Sequence, residues 1–72
     1  MLPRTPDYQR IVDDITAQID SGQLRHGDRI ASMRELGRQY GVSSQPVRMA
    51  LAVLRERGRT EGWQGRGVFV LG

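Results

Sequence analysis

The 72-residue chain has no cysteine and no lysine, and its only histidine is His26. Without cysteine it can form neither a disulfide framework nor a thiolate metal site, and a single histidine excludes a histidine cluster. The absence of lysine excludes a phosphate-binding loop of the G-x-x-x-x-G-K type. One histidine in a turn also gives no basis for a Ser-His-acid catalytic set. We therefore expect a protein that is not an enzyme and that needs no cofactor or metal.

Long apolar runs are also missing. No stretch approaches the roughly 18–20 apolar residues of a membrane span, and the N-terminus lacks the apolar core of a signal peptide. The sequence therefore predicts a cytoplasmic protein without a membrane partner. Its length predicts one small domain of modest stability.

The basic residues of the chain are all arginine. Eleven arginines stand against eight acidic residues, for a net charge of +3. Arginine suits bidentate contacts with phosphate or guanine, although a GC-rich genome would give the same bias. From Ser32 onward there are seven arginines and three glutamates, so the second half of the chain is the basic half.

That half contains the spacing of a helix-turn-helix. Ser32 and Glu35 form an S-x-x-E capping box, which predicts the start of a helix over about 33–40. Leu36, Gly37 and Tyr40 would form its inward face. Gly41 would end the helix, and a close approach of the next helix would explain a glycine at position 37.

The second helix of the motif is predicted over about 44–57, stopped by Gly58. Ser43 can cap this helix. Because Pro46 has no N–H, the Ser43 hydroxyl should bond the N–H of Gln45 instead. The apolar stripe recurs at i, i+3, i+4 and i+7, at Val47, Ala50, Leu51 and Leu54. Such a helix fits the DNA major groove.

The flanking segments complete a winged helix. Asp7 is the expected N-cap of a first helix over about 7–21, which Gly22 ends, and residues 29–31 are predicted to form a brief strand. The Gly-punctuated tail predicts a β-hairpin with its tip at 64–67. The order α-β-α-α-β-β is mainly α with a small β-hairpin, and we expect a domain over 7–72 after a flexible arm over 1–6.

The exposed face of the last helix and the hairpin tip are the candidate contacts to double-stranded DNA. Gln45 could pair with adenine, Arg48 with guanine or phosphate, and Arg34 with the DNA backbone, while Arg66 could reach a minor groove or a phosphate. The complete candidate set is Arg34, Ser43, Ser44, Gln45, Arg48, Gln64, Gly65 and Arg66. Trp63 is expected to pack beside the wing, His26 to lie in a surface turn, and the remaining arginines, including Arg29, Arg55, Arg57 and Arg59, to be solvated.

These motifs in this order resemble the DNA-binding domain of the GntR family of bacterial transcription regulators. The resemblance runs over about residues 8–71 and rests on IDSGQLRHGDRI, SMREL, GVSSQPVRMAL and QGRGVFV. It implies a winged helix that binds operator DNA as a dimer, usually ahead of an effector-binding domain, and the family's contact positions correspond to the candidate set above.

The chain departs from the family pattern at the start of the first motif helix, where Ala-Ser-Met-Arg at 31–34 replaces the common Pro-Ser-Glu-Arg but keeps the cap and the arginine. Two further departures have larger consequences. Ser44 stands where the family commonly has an arginine, which removes one strong contact. Arg59 stands where an apolar residue is usual, which calls the packing of the first wing strand into question. Because no effector domain follows Gly72, we expect an excised, monomeric DNA-binding domain rather than a natural stand-alone protein, and a homodimeric parent.

The sequence thus predicts the operator-reading domain of a transcription regulator, more often a repressor, located in the bacterial cytoplasm at the nucleoid. Two alternatives remain open. A winged helix can instead serve as a protein–protein interaction module, and the same chain could be the targeting domain of a larger fusion enzyme.

Overall fold

A computed structural model describes residues 5–63 and 65–72, and these contain three helices and three strands. In chain order they are α1 (Asp7–Asp20), β1 (Arg29–Ile30), α2 (Met33–Tyr40), α3 (Ser44–Glu56), β2 (Thr60–Trp63) and β3 (Gly67–Val70). This order is the predicted winged helix, with β2 and β3 as the wing. Residues 1–4 of the expected arm and the candidate residue Gln64 lie outside the described part.

The start of α1 differs from the prediction. Asp7 is its first helical residue, and Pro6 occupies the N-cap position without a side-chain cap bond. The Pro6 carbonyl accepts the N–H groups of Gln9 and Arg10 at 3.0 and 3.1 Å. Asp7 instead forms an exposed ion pair with Arg10 at 3.4 Å. The prediction of Asp7 as N-cap was therefore wrong by one position, because Pro6 takes the N-cap and its carbonyl, not a side chain, accepts the first-turn N–H groups.

The cap and the glycines predicted for the first helix of the motif shape its start and its end. Ser32 Oγ accepts the N–H of Glu35 at 3.1 Å, and Gly41 ends α2 with φ at +67°. The N–H of Val42 returns to the carbonyl of Gly37 at 2.9 Å. A Cβ on Gly37 would lie 3.0 Å from the Val42 carbonyl oxygen. A side chain at position 37 would thus crowd the backbone of the turn, and not α3 as we expected.

The sheet ties the wing to the helices. Its strand order is β1-β3-β2, with both pairings antiparallel. Arg29 pairs with Phe69 and Ile30 with Val68, so β1 ends one residue earlier than predicted. Bonds from Gly27 N to the Val70 carbonyl and from Val70 N to the Asp28 carbonyl, both 2.8 Å, extend the link beyond the strand. A hairpin too small to be stable alone is thereby held against the domain.

One apolar core joins the faces of these elements. It contains the stripe of α1 and that of α3 together with one residue each from β1, α2 and β3: Ile11, Val12, Ile15, Ile19, Ile30, Leu36, Val47, Ala50, Leu54 and Val70. Leu51, predicted to share this stripe, is only partly buried because it lies toward the wing. The core fixes the angle at which α3 projects its other face.

Arg59 resolves the question about the first wing strand. Its guanidinium pairs with Asp20 at the end of α1, and its backbone carbonyl accepts the N–H of Leu71 at 2.9 Å. Thr60, which follows, is 1% exposed. The strand therefore packs despite the charge, and the prediction that Arg59 is merely solvated was wrong, since it bridges two elements.

Tyr40 closes the contact between α2 and α1. Its ring packs against the core, and its hydroxyl lies beside Asp14. Burial, reinforced by the hydrogen-bonded Asp14 carboxylate, raises the pKa of Tyr40 from 10.0 to about 12. The neutral phenol is therefore the form that the folded state prefers.

Candidate nucleic-acid interface

The outward face of α3 carries the candidate contacts at its N-terminal end. Ser43, Ser44, Gln45 and Arg48 are all exposed, while Val47 between them is fully buried. This alternation follows from the helical period of 3.6 residues. The structure thus places the four predicted residues together on one surface, and Met49 next to them is 42% exposed.

The start of α3 differs in one detail from the prediction. Ser43 occupies the N-cap with extended backbone, but its hydroxyl forms no side-chain cap bond, neither to Gln45 nor elsewhere in the first turn. Pro46 stands at the third helical position, where the N–H that such a hydroxyl most often bonds is missing. The Ser43 hydroxyl therefore stays free of the helix, and the first-turn N–H groups have no partner within the helix.

Arg34 lies in the first turn of α2 and is exposed. Because α2 begins where β1 ends, this turn lies at the margin of the surface formed by α3 and the wing. Ser32 and Met33, which precede Arg34, line the space between α3 and the wing. Arg34 thus directly follows two residues of that lining, on a separate element from Arg48, and does not itself line the described part of the space.

The wing tip presents Gly65 and Arg66, both exposed. The N–H of Arg66 bonds the Trp63 carbonyl at 2.9 Å, which closes the turn. On its other side, Arg29 Nε donates to the Arg66 carbonyl at 3.2 Å. A Cβ on Gly67, whose φ is +116°, would lie 2.8 Å from that nitrogen. Arg29, predicted to be solvated, therefore braces the wing tip, and no local sequence pattern indicates this contact.

Between α3 and the wing runs an open groove, which we call the α3–wing cleft. Two adjoining pockets share four of its residues and make it continuous. Its apolar and small lining residues include Met33, Leu51, Ala52, Gly62, Trp63 and Val68, and its basic residues are Arg48, Arg55 and Arg66. No carboxylate lines the described part of the cleft. Arg55 was not among the predicted contacts.

Trp63 and His26 both line a pocket on the outer side of the sheet, and Trp63 also borders the α3–wing cleft. Trp63 is 54% exposed, so the prediction that it packs was wrong. Its cross-strand partner is Gly67, which offers no side chain to cover it. His26 lies in the predicted surface turn, where Nδ1 contacts the Leu71 carbonyl oxygen at 2.5 Å.

Two further features concern a membrane or a metal ion as partner. Each helix in the described segments is too short or too polar to cross a lipid bilayer. The same residues bring together no group of three or more His, Asp or Glu side chains that could hold a metal ion.

Comparison with known proteins identifies relatives along nearly the whole chain. Residues 7–70 match the family described as bacterial regulatory proteins, gntR family. The chain is 40% identical over 65 residues to the mannosyl-D-glycerate transport/metabolism system repressor MngR of Escherichia coli (strain K12), and 37% identical over 65 residues to the HTH-type transcriptional repressor NagR of Bacillus subtilis (strain 168). Each match covers 90% of this chain and 27% of the relative, so the chain spans about a quarter of their length.

Solved structures agree with this assignment. The chain is similar to the AraR DNA-binding domain in complex with operator ORR3, with a TM-score of 0.92, 30% identity and coverage of 97% of this chain and 84% of that one. It is also similar to YtrA from Sulfolobus acidocaldarius, a GntR-family transcription factor, with a TM-score of 0.87, 34% identity and coverage of 97% and 73%.

Proposed function

Because the chain belongs to the gntR family of bacterial regulatory proteins, we propose that it is the DNA-binding domain of a transcription regulator. In this proposal α3 enters the major groove of double-stranded operator DNA, and the wing lies along the backbone or the minor groove. The observation that carries it is the position of the exposed α3 face beside a cleft lined by arginines without carboxylates.

The roles of the candidate residues follow from their chemistry and place. Gln45 and Arg48 lie where a docked α3 meets base edges, and Arg48 can bind guanine or a phosphate. The free hydroxyl of Ser43, with Ser44 and the first-turn N–H groups, suits a phosphate at the positive end of the helix. Arg34 and the tip residues Gly65 and Arg66 would bind the backbone, and Gln64 joins them in this proposal on its sequence position.

The biological role is proposed from the relatives. MngR and NagR are repressors by name, which favours repression over activation here. We propose a domain over 7–72 that is monomeric in isolation and belongs to a homodimeric parent. A dimer would read two half-sites and double the contacts. A regulator of this kind acts in the cytoplasm, at the nucleoid, and its regulatory family favours binding over catalysis.

Chemical-shift mapping of the labelled domain with a random-sequence DNA duplex at low salt tests the proposal. We expect shifts concentrated at 43–48, at 64–66 and at Arg34. An Arg48→Ala variant should reduce them, whereas an Arg25→Ala variant, altered in the exposed turn beyond α1, should keep them. No shifts at low salt would contradict DNA binding and favour a protein–protein interaction module. Shifts confined to the outer sheet face around His26 and Phe69 would overturn the proposed docking.

A further inference from the structure

Arg55 occupies the centre of the α3–wing cleft. It lies seven residues after Arg48, which places the two side chains on the same face of α3, about 10 Å apart along the helix axis. The wing tip brings Arg66 to the other end of the same cleft. Three guanidinium groups therefore follow one groove, although they come from α3 and from the wing tip, and the outer two are 18 positions apart in the chain.

The charge of Arg55 is not neutralised by its surroundings. The two ion pairs among the described residues join Arg10 to Asp7 and Arg59 to Asp20, and neither involves Arg55. Glu61, the acidic residue of β2, pairs with Phe69 and lines the pocket on the outer side of the sheet, which Arg55 does not line. An exposed cation in a groove without carboxylates attracts an anion.

We propose that Arg55 binds a backbone phosphate of DNA held in the α3–wing cleft, between the contacts of Arg48 and Arg66. This inference rests on the proposed function and adds a residue to it. Arg55 lies in the last turn of α3, far from the N-terminal end that meets base edges. Its contact is therefore with phosphate, and it contributes affinity without sequence preference.

Arg57 provides the matched control. It is also exposed, carries the same charge and follows Arg55 by two positions, but it caps α3 and does not line the cleft. Arg55→Ala and Arg57→Ala thus remove the same charge from the same end of the helix. A difference between the two variants reports contact and not overall charge. An Arg55→Lys variant keeps the charge and should keep most of the effect.

The experiment measures affinity for two random-sequence duplexes, one rich in A·T and one rich in G·C, over a fourfold range of salt concentration. Each phosphate contact contributes about 0.9 to the slope of log K against log[salt]. Arg55→Ala should therefore make the slope less steep by about 0.9. Over that range of salt, the affinity of the variant then falls by a factor roughly 3.5-fold smaller than that of the parent chain. Arg57→Ala should change the slope much less, and both duplexes should respond alike.

The outcomes separate this inference from the proposed function. Equal slopes for Arg55→Ala and Arg57→Ala would overturn the Arg55 contact. If Arg48→Ala still weakens binding in that case, the proposed function stands. A loss on only one duplex would also overturn the Arg55 contact, because a base contact would then be responsible. If Arg48→Ala and Arg66→Ala both leave affinity unchanged, the proposed function fails as well. Arg55→Gln, with thermal unfolding measured beside it, shows that any loss does not come from misfolding.

Discussion

Two serines at equivalent helix positions should respond in opposite ways to the same substitution. Ser32 and Ser43 both occupy N-caps with extended backbone, yet only Ser32 accepts a hydrogen bond from its own helix, from the N–H of Glu35 at 3.1 Å. The Ser43 hydroxyl is free of α3. Replacing each by alanine therefore removes a stabilising bond in one case and, on the proposed function, a DNA contact in the other.

The expected magnitudes follow from this difference. Loss of a cap bond typically destabilises by about 1 kcal/mol. For 72 residues the unfolding entropy is on the order of 150 cal/mol/K, so Ser32→Ala should lower Tm by roughly 7 °C. Ser43→Ala, which removes no such bond, should cost less than about 0.5 kcal/mol and shift Tm by no more than roughly 3 °C.

Thermal unfolding by circular dichroism and DNA titration together check both parts. Ser43→Ala should weaken binding to a duplex, and Ser32→Ala should leave it close to that of the parent chain at a temperature where both are folded. Equal falls in Tm would refute the reasoning about the caps. If only Ser32→Ala weakens binding to the duplex, the proposed DNA contact of the Ser43 hydroxyl is refuted.

Two further predictions concern the wing and the core. Gly67→Ala should destabilise the domain by about 1–3 kcal/mol, chiefly because φ is +116°, and the new Cβ would also displace the Arg29 side chain, whose Nε lies at 2.8 Å. Gly65→Ala, at φ +76° with nothing within 4 Å, is its control in chemical denaturation, and equal losses would count against a contribution from the Arg29 contact. Tyr40 should titrate near pH 12 in the folded state when followed by tyrosinate absorbance in a Tyr8→Phe variant. Its raised pKa means that stability falls between pH 10 and 12, as the unfolded state ionises first, and Tyr40→Phe should remove its share of that fall.

The helices were predictable because their boundaries depend on residues close together in the chain. Gly22, Gly41 and Gly58 adopt φ values of +83°, +67° and +72°, and they follow α1, α2 and α3 at the ends that the sequence indicates. A glycine and an apolar stripe are properties of a few neighbouring residues. The exposed positions of α3 followed from the same stripe, which is why the candidate residues on that helix lie on one surface.

Contacts between distant segments were not predictable in this way. The Arg59–Asp20 ion pair joins residues 39 positions apart, and the bond from Arg29 to the wing tip spans 37. Both depend on how the sheet folds back against the helices. The place of Arg55 in the cleft has the same origin, since α3 alone gives no sign of which face the wing will border. The exposure of Trp63 was missed because it depends on which residue lies across the strand pair.

The central claim is that the arginines on the α3 and wing surface bind DNA phosphates. The most direct test is the affinity of the chain for a random-sequence duplex as a function of salt concentration. If Arg34, Arg48, Arg55 and Arg66 each bind one phosphate, the slope of log K against log[salt] should be about −3.6, a loss of roughly 150-fold over a fourfold rise in salt. A flat line would contradict the account, because DNA would then not be held by these four charges.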